Sequence, residues 1–464
     1  MLRRDFLKRP VFYVPAVAVA LAFGAWASTS VSFSWNSASE ASAPENIKGN
    51  AADDLSIREA RRRPPSEIDY RTLDQRLQRL VAQPSMVGLA VAVVENGDIR
   101  FLKGYGVTTA GTNEPVTPDT IFRWASVSKG VAGDMVAKLA AEGKLSLYSP
   151  VVKYAPSLRL PAGNEHRATV SDLLSHRLGL FSHAHDSRLE DGGDPRMLRA
   201  SLAQLNGICA PGQCHAYQNV AYDAASEIVE KVTGKPYSQV VREQLFLPLG
   251  MSSASMSRQG LVSARSWARP HRGGKTSKPV EVTEPYYRVP AAGGVNSSIK
   301  DLAIWMKAQM GEEPDVLSPQ VLSAVQSPRA YTPGELGRMR KFRERLSKAS
   351  YGLGWRIYDY AGHKVVGHRG GVTGYRSLVM FDPERKSGIV ALWNSSTAQP
   401  GGMEFELLDM LYKLPFKDWL ELDTPKGAPM PQPQEMLKDE IDATANLAAA
   451  AQPKSEGGPT PSVP

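Results

Sequence analysis

Residues 86–107, MVGLAVAVVENGDIRFLKGYGV, contain the clearest structural signal of the sequence. Two strand-like runs flank Asn96-Gly97, a dipeptide typical of a tight hairpin turn. Strand patterns return only in YGLGWRIYDY, HKVVGH, YRSLVMF and GIVALWN, between residues 351 and 394, and a last amphipathic helix is expected near 403–412. Residues 127–310 are mostly helical in pattern. This order predicts an α/β (α+β) fold: one mostly antiparallel sheet from N- and C-terminal segments, flanked by helices, with an inserted helical subdomain.

The N-terminus has the pattern of an export segment. A basic stretch, MLRRDFLKR, precedes the uncharged residues 10–39, and Ala25-Trp26-Ala27 offers a cleavage site between small residues. Residues 1–27 are therefore expected to be a signal peptide, of the twin-arginine or the general secretory type, or an uncleaved N-terminal membrane anchor. Each alternative predicts an exported protein, periplasmic or extracellular, or one anchored in the inner membrane.

The remaining chain divides by composition. Residues 28–65 are rich in Ser, Ala and Asn and then basic, as in a linker, and residues 424–464 form a Pro/Ala-rich tail expected to be disordered. The domain is expected over 66–415. It should open with a helix capped by Ser66 and Asp69 and packed through an apolar face of Ile68, Leu73, Leu77, Leu80 and Val81.

The formal charge of +8 is concentrated at the N-terminus and in residues 338–348, RMRKFRERLSK. No basic stripe interleaved with aromatic residues is present, so no nucleic-acid partner is expected. Met339, Phe342 and Leu346 share one face if 338–348 is a helix. Such a helix would be a solvated insertion, a lid over the site, or a contact to an anionic envelope surface.

Two cysteines, Cys209 and Cys214, are the only ones in the chain. In an oxidising compartment they can form a short-loop disulfide, and the alternative is a pair of packed free thiols. Neither this pair nor His183 and His185 beside Asp186, in FSHAHD, has the spacing of a metal site. We therefore expect no metal and no cofactor, and we expect FSHAHD to be a solvated loop.

The stretch WASVSKG contains a candidate nucleophile, Ser126, with Lys129 three residues later. The pattern that follows is helical, so both side chains would lie on one face at a helix start, where free N–H groups favour a developing anion. A serine hydroxyl needs a neighbouring base, and a buried lysine can provide one. Ser297 and Lys300 repeat the spacing at the start of another expected helix, where a capping serine and a surface lysine are the simpler interpretation.

Two further motifs carry suitable groups. Tyr217-Gln218-Asn219 lies in a turn before an expected helix, where the tyrosine can relay a proton and the asparagine can donate to a substrate carbonyl. His368-Arg369-Gly370-Gly371 joins two strand patterns, and glycines there would let a substrate backbone lie against an edge strand. A packed tyrosine, a capping asparagine and a Gly-rich hairpin are the structural alternatives.

Together, Ser-x-x-Lys, Tyr-x-Asn and His-x-Gly resemble the serine β-lactamase and penicillin-binding-protein-like superfamily, most of all its class C-related, esterase-like branch. The flanking stretches TIFRWASVSKG, SDLLSHRLGL and AAGGVNSSIKDLAIWM are similar too, and the resemblance covers roughly residues 70–415. It implies the β-lactamase/transpeptidase-like fold. SHRLGL departs from the family, which usually has Thr-Ser after the histidine.

The resemblance also implies roles for individual residues. Ser126 would be acylated, with Lys129 and Tyr217 sharing the proton transfers. Asn219, His368 and Gly370 would bind substrate, and the N–H groups of Ser126 and Gly371 would form the oxyanion hole. His368 replaces the usual lysine of a Lys-Thr-Gly motif, and because histidine is mostly neutral at pH 7 it reads a carboxylate weakly.

These roles predict an exported serine hydrolase that forms an acyl-enzyme on an ester or amide bond of a small-molecule or peptide substrate. It would be esterase-like or D-amino-acid-peptidase-like, with β-lactam turnover weak or absent. The enzyme alternatives are a true β-lactamase or a D,D-carboxypeptidase. An alternative of another class is a penicillin-binding or sensor protein that does not turn over.

Overall fold

The computed structural model describes residues 65–423. The signal peptide or anchor expected over 1–27, the linker before residue 65 and the tail 424–464 lie outside the described residues. Among residues 65–423, no helix is both long and apolar enough to cross a membrane.

An eight-stranded sheet forms the centre of the fold, and each strand is antiparallel to its neighbours in the order β2-β1-β10-β9-β8-β7-β6-β5. A short separate ladder pairs β3 with β4. The strands are β1 (Gly88–Glu95), β2 (Asp98–Gly106), β3 (Ile121–Arg123), β4 (Asn296–Ser298), β5 (Ala330–Tyr331), β6 (Leu346–Tyr351), β7 (Arg356–Tyr360), β8 (His363–Val372), β9 (Tyr375–Asp382) and β10 (Ser387–Trp393).

Most helices lie between β2 and β5. The α-helices are α1 (Tyr70–Ala82), α2 (Ser128–Ala141), α3 (Val170–Leu174), α4 (Asp186–Glu190), α5 (Pro195–Ser201), α6 (Ala224–Thr233), α7 (Tyr237–Val241), α8 (Arg258–Val262), α9 (Pro290–Gly293), α10 (Ile299–Gln309), α11 (Pro319–Val325), α12 (Pro333–Arg338) and α13 (Met403–Leu411). The 3-10 turns are Ala125–Val127, Val151–Lys153, Pro161–His166, Leu202–Gln204, Pro285–Tyr287 and Arg340–Phe342, and a π-helical turn spans Arg242–Phe246.

The hairpin of β1 and β2 forms as expected. Asn96 and Gly97 have φ of +54° and +82°, the left-handed conformations that a two-residue hairpin turn requires. Every residue of β1 is buried, because helices cover both faces of the sheet. Ala90 and Ala92 belong to the core under the helical insert, whereas Leu89 and Val91 belong to the core on the opposite face.

Two hydrophobic cores therefore sandwich the sheet. The larger lies between the sheet and the insert, and includes Met135 of α2 and Trp305 of α10. The smaller lies under α1 and α13, and includes Leu77 and Phe405. N- and C-terminal strands share one sheet and the helical segment is inserted between them, so the fold class predicted from the sequence is confirmed.

The first helix begins later than expected and has a different cap. Asp69 precedes α1, and its carboxylate accepts the backbone N–H groups of Arg71 and Thr72 at 3.0 Å. Ser66 takes no part in a capping box, since its hydroxyl donates to Glu95 at 2.8 Å. The apolar face of this helix is buried as predicted.

The prediction of one helix over 338–348 is wrong. The helix α12 ends at Arg338, a 3-10 turn follows, and Leu346 already starts β6. Met339, Phe342 and Leu346 nevertheless pack against the smaller core, which explains their apolar character. Cations of the stretch have carboxylate partners: Arg338 contacts Glu335, Lys341 contacts Glu421 and Arg345 contacts Asp409.

Candidate active site

Ser126 lies on the 3-10 turn that leads into α2, at the surface of the larger core, and is half-buried. The preceding Ala125 has φ of +48°, a left-handed conformation that is strained for a residue with a Cβ. Two hydrogen bonds of Trp124 hold the chain directly before this strained residue. The carbonyl of Trp124 accepts the Ser377 hydroxyl at 2.5 Å, and its indole N–H donates to Ser297 at 2.9 Å.

Lys129 is completely buried in the first turn of α2. Its Nζ lies 3.4 Å from the Ser126 Oγ, 2.6 Å from the Asn219 Oδ1 and 2.9 Å from the carbonyl oxygen of Ala292. The ring of Tyr217 lies under the amine, with its centroid 4.7 Å from Nζ. The structure thus brings Ser126, Lys129, Tyr217 and Asn219 together from two distant segments of the chain.

Burial lowers the pKa of Lys129 to about 7. Removing the ammonium ion from water disfavours its charged form. The carboxylates of Asp186 and Asp223 act in the opposite direction, and the cation of Arg356 reinforces the decrease. A substantial share of Lys129 is consequently an uncharged amine near neutral pH, the form that can accept a proton.

The stretch FSHAHD is a turn beside this cluster, as expected of a loop, but His183, His185 and Asp186 are half-buried rather than fully solvated. The Asn219 Nδ2 donates to the Asp186 Oδ2 at 2.6 Å, and the His183 Nδ1 lies 2.8 Å from the same oxygen. His183, Asp186, Asn219 and Lys129 thus form a continuous series of hydrogen bonds, which we call the charged chain. The backbone N–H of His183 also donates to the Tyr217 carbonyl at 2.8 Å.

A second series, the neutral chain, starts one residue earlier. The backbone N–H of Gln218 donates to the His176 Nδ1 at 3.1 Å, and the His176 Nε2 lies 3.3 Å from the Tyr351 hydroxyl. That hydroxyl lies 3.0 Å from the His368 Nε2, and the His368 Nδ1 lies 2.7 Å from the Arg369 carbonyl oxygen. The Gln218 N–H can only donate, so the His176 Nδ1 accepts and its Nε2 carries the proton. The Arg369 carbonyl can only accept, so the His368 Nδ1 carries the proton and its Nε2 accepts.

The position of His368 differs from that of a substrate-facing side chain. It is 2% exposed, both ring nitrogens have protein partners, and burial lowers its pKa well below the usual value. Its predicted contact with substrate stays a prediction. Among the described residues, His368 links β8 to β6 through the Tyr351 hydroxyl, as a buried and uncharged side chain. His176, the histidine of SDLLSHRLGL, is likewise buried, and burial lowers its pKa well below the usual value.

Gly370 brings β8 against the nucleophile turn. A Cβ at this position would lie 2.3 Å from the Trp124 carbonyl oxygen and 3.0 Å from the Ser126 nitrogen, so only glycine allows this approach. β8 is an interior strand rather than an edge strand. However, β7 pairs with it only as far as Gly367, so the half of β8 from His368 to Val372, including Gly371, has no β7 residue opposite it.

A disulfide closes the loop before the Tyr217 turn, with the Sγ atoms of Cys209 and Cys214 2.00 Å apart. The loop packs on the segment that follows His176: the Ile208 N–H donates to the Gly179 carbonyl at 2.9 Å, and the Gly212 N–H to the Arg177 carbonyl at 2.8 Å. The covalent link therefore borders the turn from which both chains start.

The second Ser-x-x-Lys motif has a structural role. Ser298 caps α10 by accepting the Asp301 N–H, and Lys300 is exposed. Ser297 supports the indole of Trp124, two residues before the nucleophile. Among residues 65–423 no group of three or more His, Cys, Asp or Glu side chains is placed to hold a metal ion.

Comparisons with known proteins show the family of the chain. The family model described as Beta-lactamase matches residues 73–409. "Unguisins hydrolase ungD'" of Aspergillus campestris is 30% identical over 70% of this chain and 62% of its own length. "D-alanyl-D-alanine-carboxypeptidase/endopeptidase AmpH" of Escherichia coli K12 is 29% identical over 49% of this chain and 58% of its own. "Penicillin-binding protein 4" of Amycolatopsis lactamdurans is 28% identical over 70% of this chain and 84% of its own length.

The chain thus spans under two thirds of the length of the first two of these relatives. Among solved structures, the octameric penicillin-binding protein homologue from Pyrococcus abyssi has a TM-score of 0.66 and 26% identity, over 75% of this chain and 78% of its own. A D-stereospecific amidohydrolase from Streptomyces sp. has a TM-score of 0.56 over 71% of this chain and 95% of its own, and at 21% identity it supports the fold alone.

Proposed function

The chain belongs to the Beta-lactamase family and is a serine hydrolase of that family, and from this premise we propose that it cleaves an ester or amide bond through an acyl-enzyme on Ser126. We further propose that it acts outside the cytoplasm, as the N-terminal pattern and the disulfide suggest.

The observation that carries the proposal is the set of partners around Lys129. Asn219 Oδ1 and the Ala292 carbonyl can only accept hydrogen bonds. An uncharged amine has two N–H groups and one lone pair, and the two acceptors use both N–H groups. The lone pair is then left for the third neighbour, the Ser126 hydroxyl at 3.4 Å. Lys129 is therefore oriented as a general base.

The reaction follows from this orientation. Lys129 takes the hydroxyl proton while the Ser126 Oγ forms a bond to the substrate carbonyl carbon, whose oxygen becomes an anion. The N–H groups of Ser126 and Gly371 would stabilise that anion. The leaving alcohol or amine departs with a proton relayed by Lys129 and Tyr217. Water then attacks the ester on Ser126, which releases the acid and returns the proton to the serine.

The half of β8 that β7 leaves uncovered favours an extended substrate, since only β9 pairs with it. Backbone groups there, close to Gly370, can pair with a peptide or acyl-amide chain that lies beside Ser126. The neutral His368 offers no cation for a substrate carboxylate. The cation of Arg356 is paired with Glu335 at 2.7 Å. We therefore propose an esterase-like or D-amino-acid-peptidase-like specificity, with weak or absent β-lactam turnover.

The relatives with similar sequences support an enzyme of this class and leave alternative specificities open. AmpH and penicillin-binding protein 4 favour a D,D-carboxypeptidase or a β-lactam-reactive enzyme, such as a true β-lactamase. A sensor that is acylated without turnover is the alternative of another class, and the oriented base at Lys129 weighs against it.

A fluorophosphonate probe separates an enzyme from a binding protein. We expect it to label the wild-type protein once, to fail with Ser126→Ala, and to label Ser187→Ala, in which an exposed serine of α4 is changed. A panel of p-nitrophenyl esters, D-amino-acid p-nitroanilides and nitrocefin then distinguishes the specificities. Absence of labelling in the wild type would overturn the proposal, and efficient nitrocefin hydrolysis would overturn the weak β-lactam turnover.

A further inference from the structure

Asp186 lies at the start of α4, where it is directed towards the catalytic cluster by an unusual backbone. His183 and His185 have φ of +60° and +67°, both in the left-handed region. Such conformations are unfavourable for residues with a Cβ and persist where the surrounding structure requires them. The turn places the Asp186 Oδ2 2.6 Å from the Asn219 Nδ2 and 2.8 Å from the His183 Nδ1.

This contact decides which way the Asn219 amide faces. A carboxylate can only accept hydrogen bonds, so it selects the NH2 end of the amide. The opposite end, Oδ1, is then directed to Lys129 at 2.6 Å. If the amide turned over, its NH2 group would donate to the lysine lone pair. That arrangement would occupy the lone pair that the proposed base needs for Ser126.

We propose that Asp186 is a positioning residue for the general base: it fixes the amide of Asn219, and through that amide it directs the lone pair of Lys129 at Ser126. This inference rests on the proposed function, in which Lys129 is the base. His183 contacts the same carboxylate oxygen as Asn219, so the stretch FSHAHD serves the reaction without contact to the reacting atoms.

Asp186 also acts on Lys129 through its charge. Its carboxylate raises the pKa of the lysine against the effect of burial. The titratable and charged groups that face Lys129 from the neighbouring elements are Asp186, Asp223, Arg356, Tyr217, Tyr222, His176 and His368. Of these groups, Asp186 has the largest effect that opposes burial: its charge raises the pKa of Lys129, which burial lowers. Loss of its charge therefore moves the pKa of Lys129 downward.

Two substitutions separate orientation from charge. Asp186→Asn keeps an oxygen that can accept from Asn219 and removes the charge, so the acid limb of the pH–rate profile should move to lower pH. Asp186→Ala removes both the accepting oxygen and the charge. The labelling rate at high pH should then fall roughly 10- to 100-fold, because the lone pair of Lys129 is no longer directed at Ser126. The Asn variant should retain more of the high-pH rate than the Ala variant. Asp191→Asn, an exposed carboxylate of the same region, should change neither quantity.

The rate of fluorophosphonate labelling at Ser126, followed from pH 5 to 9, measures these effects without knowledge of the natural substrate. In an Asn219→Ala background, Asp186→Ala should add no further loss of the high-pH rate, since no amide is left to orient. An equal loss in that background would overturn the proposal, as would an acid limb that stays in place or moves upward in Asp186→Asn. If Asp186→Ala does not fold, the position of the acid limb in the pH–rate profile of Asp186→Asn tests the proposal instead. A wild type that is not labelled would instead overturn the proposed function.

Discussion

The charged chain and the neutral chain leave adjacent residues of one turn and differ in what they contain. The charged chain has an acceptor-only carboxylate, Asp186, on one side of Asn219, and on the other side Lys129, whose pKa burial lowers to about 7. From Gln218, the neutral chain runs through two histidines and a tyrosine and ends on a backbone carbonyl. The histidines and the tyrosine of the neutral chain are buried, whereas His183 and Asp186 of the charged chain are half-buried. Both chains border Tyr217.

The difference separates a part that can change charge from a part that cannot readily do so. Burial lowers the pKa of His176 and His368 well below the usual value, which keeps both rings uncharged at neutral pH. In the charged chain, burial and neighbouring charges oppose one another at Lys129. We therefore expect the charged chain to govern the rate and its pH dependence, and the neutral chain to govern stability.

The largest expected effect follows from removal of the base. Lys129→Met should lower kcat/KM for a p-nitrophenyl ester by roughly 10²- to 10⁴-fold, the usual contribution of general acid–base catalysis. In the wild type, kcat/KM should rise with pH through about 7, because the amine must lose its proton before it can accept one from Ser126.

The matched control is Lys300→Met, which changes the exposed lysine of the second Ser-x-x-Lys motif and should leave kcat/KM unchanged. Equal activities of the two variants would show that the charged chain does not contain the base.

An intermediate effect, on stability, is expected from the neutral chain. Tyr351→Phe removes the hydroxyl between the two histidines and leaves their Nε2 atoms without this partner. An unsatisfied buried polar group costs about 1–3 kcal/mol, so urea denaturation should show a lower free energy of unfolding by about that amount. The loss in kcat/KM should remain far smaller than that of Lys129→Met.

Tyr331→Phe changes an exposed tyrosine of β5 and should stay within about 0.5 kcal/mol of the wild type. A loss of activity in Tyr351→Phe as large as that of Lys129→Met would mean that the neutral chain takes part in proton transfer, and the distinction between the two chains would fail.

The smallest expected effect concerns the pH dependence. The cation of Arg356 lowers the pKa of Lys129, so Arg356→Gln should raise that pKa and move the acid limb of kcat/KM to higher pH. This shift is opposite in sign to that expected for Asp186→Asn. Arg356→Lys should restore the limb, and Arg343→Gln, on an exposed arginine, should not move it. A shift to lower pH in Arg356→Gln would contradict the electrostatic account of the charged chain.

The sequence was sufficient to predict the hairpin, the shared sheet and the inserted helical region. These depend on period-2 patterns and on Asn96-Gly97, which are local signals. It failed for 338–348, because apolar residues that recur every three or four positions fit a helix. There the chain instead changes from a turn to β6 and buries the same residues.

The motifs around Ser126, Tyr217 and His368 could be found because each is contiguous. The two chains could not, since they depend on contacts across the fold. Asp186 reaches Asn219 through left-handed backbone at two histidines, which no propensity indicates. Tyr351 meets His176 and His368 only when β6 and β8 are placed beside the insert. The burial of His368 was missed for the same reason.

The side of β8 that β7 leaves uncovered also bears on solubility. An unpaired strand edge is a template on which strands of other chains can add, and long exposed edges promote aggregation. In this protein β7 covers β8 as far as Gly367, so only the segment from His368 to Val372 is available. A short extended segment can be accommodated there, whereas a long foreign strand would meet β7. At β8, the protein can therefore retain a short strand edge for binding while β7 limits how far a foreign strand can extend along it.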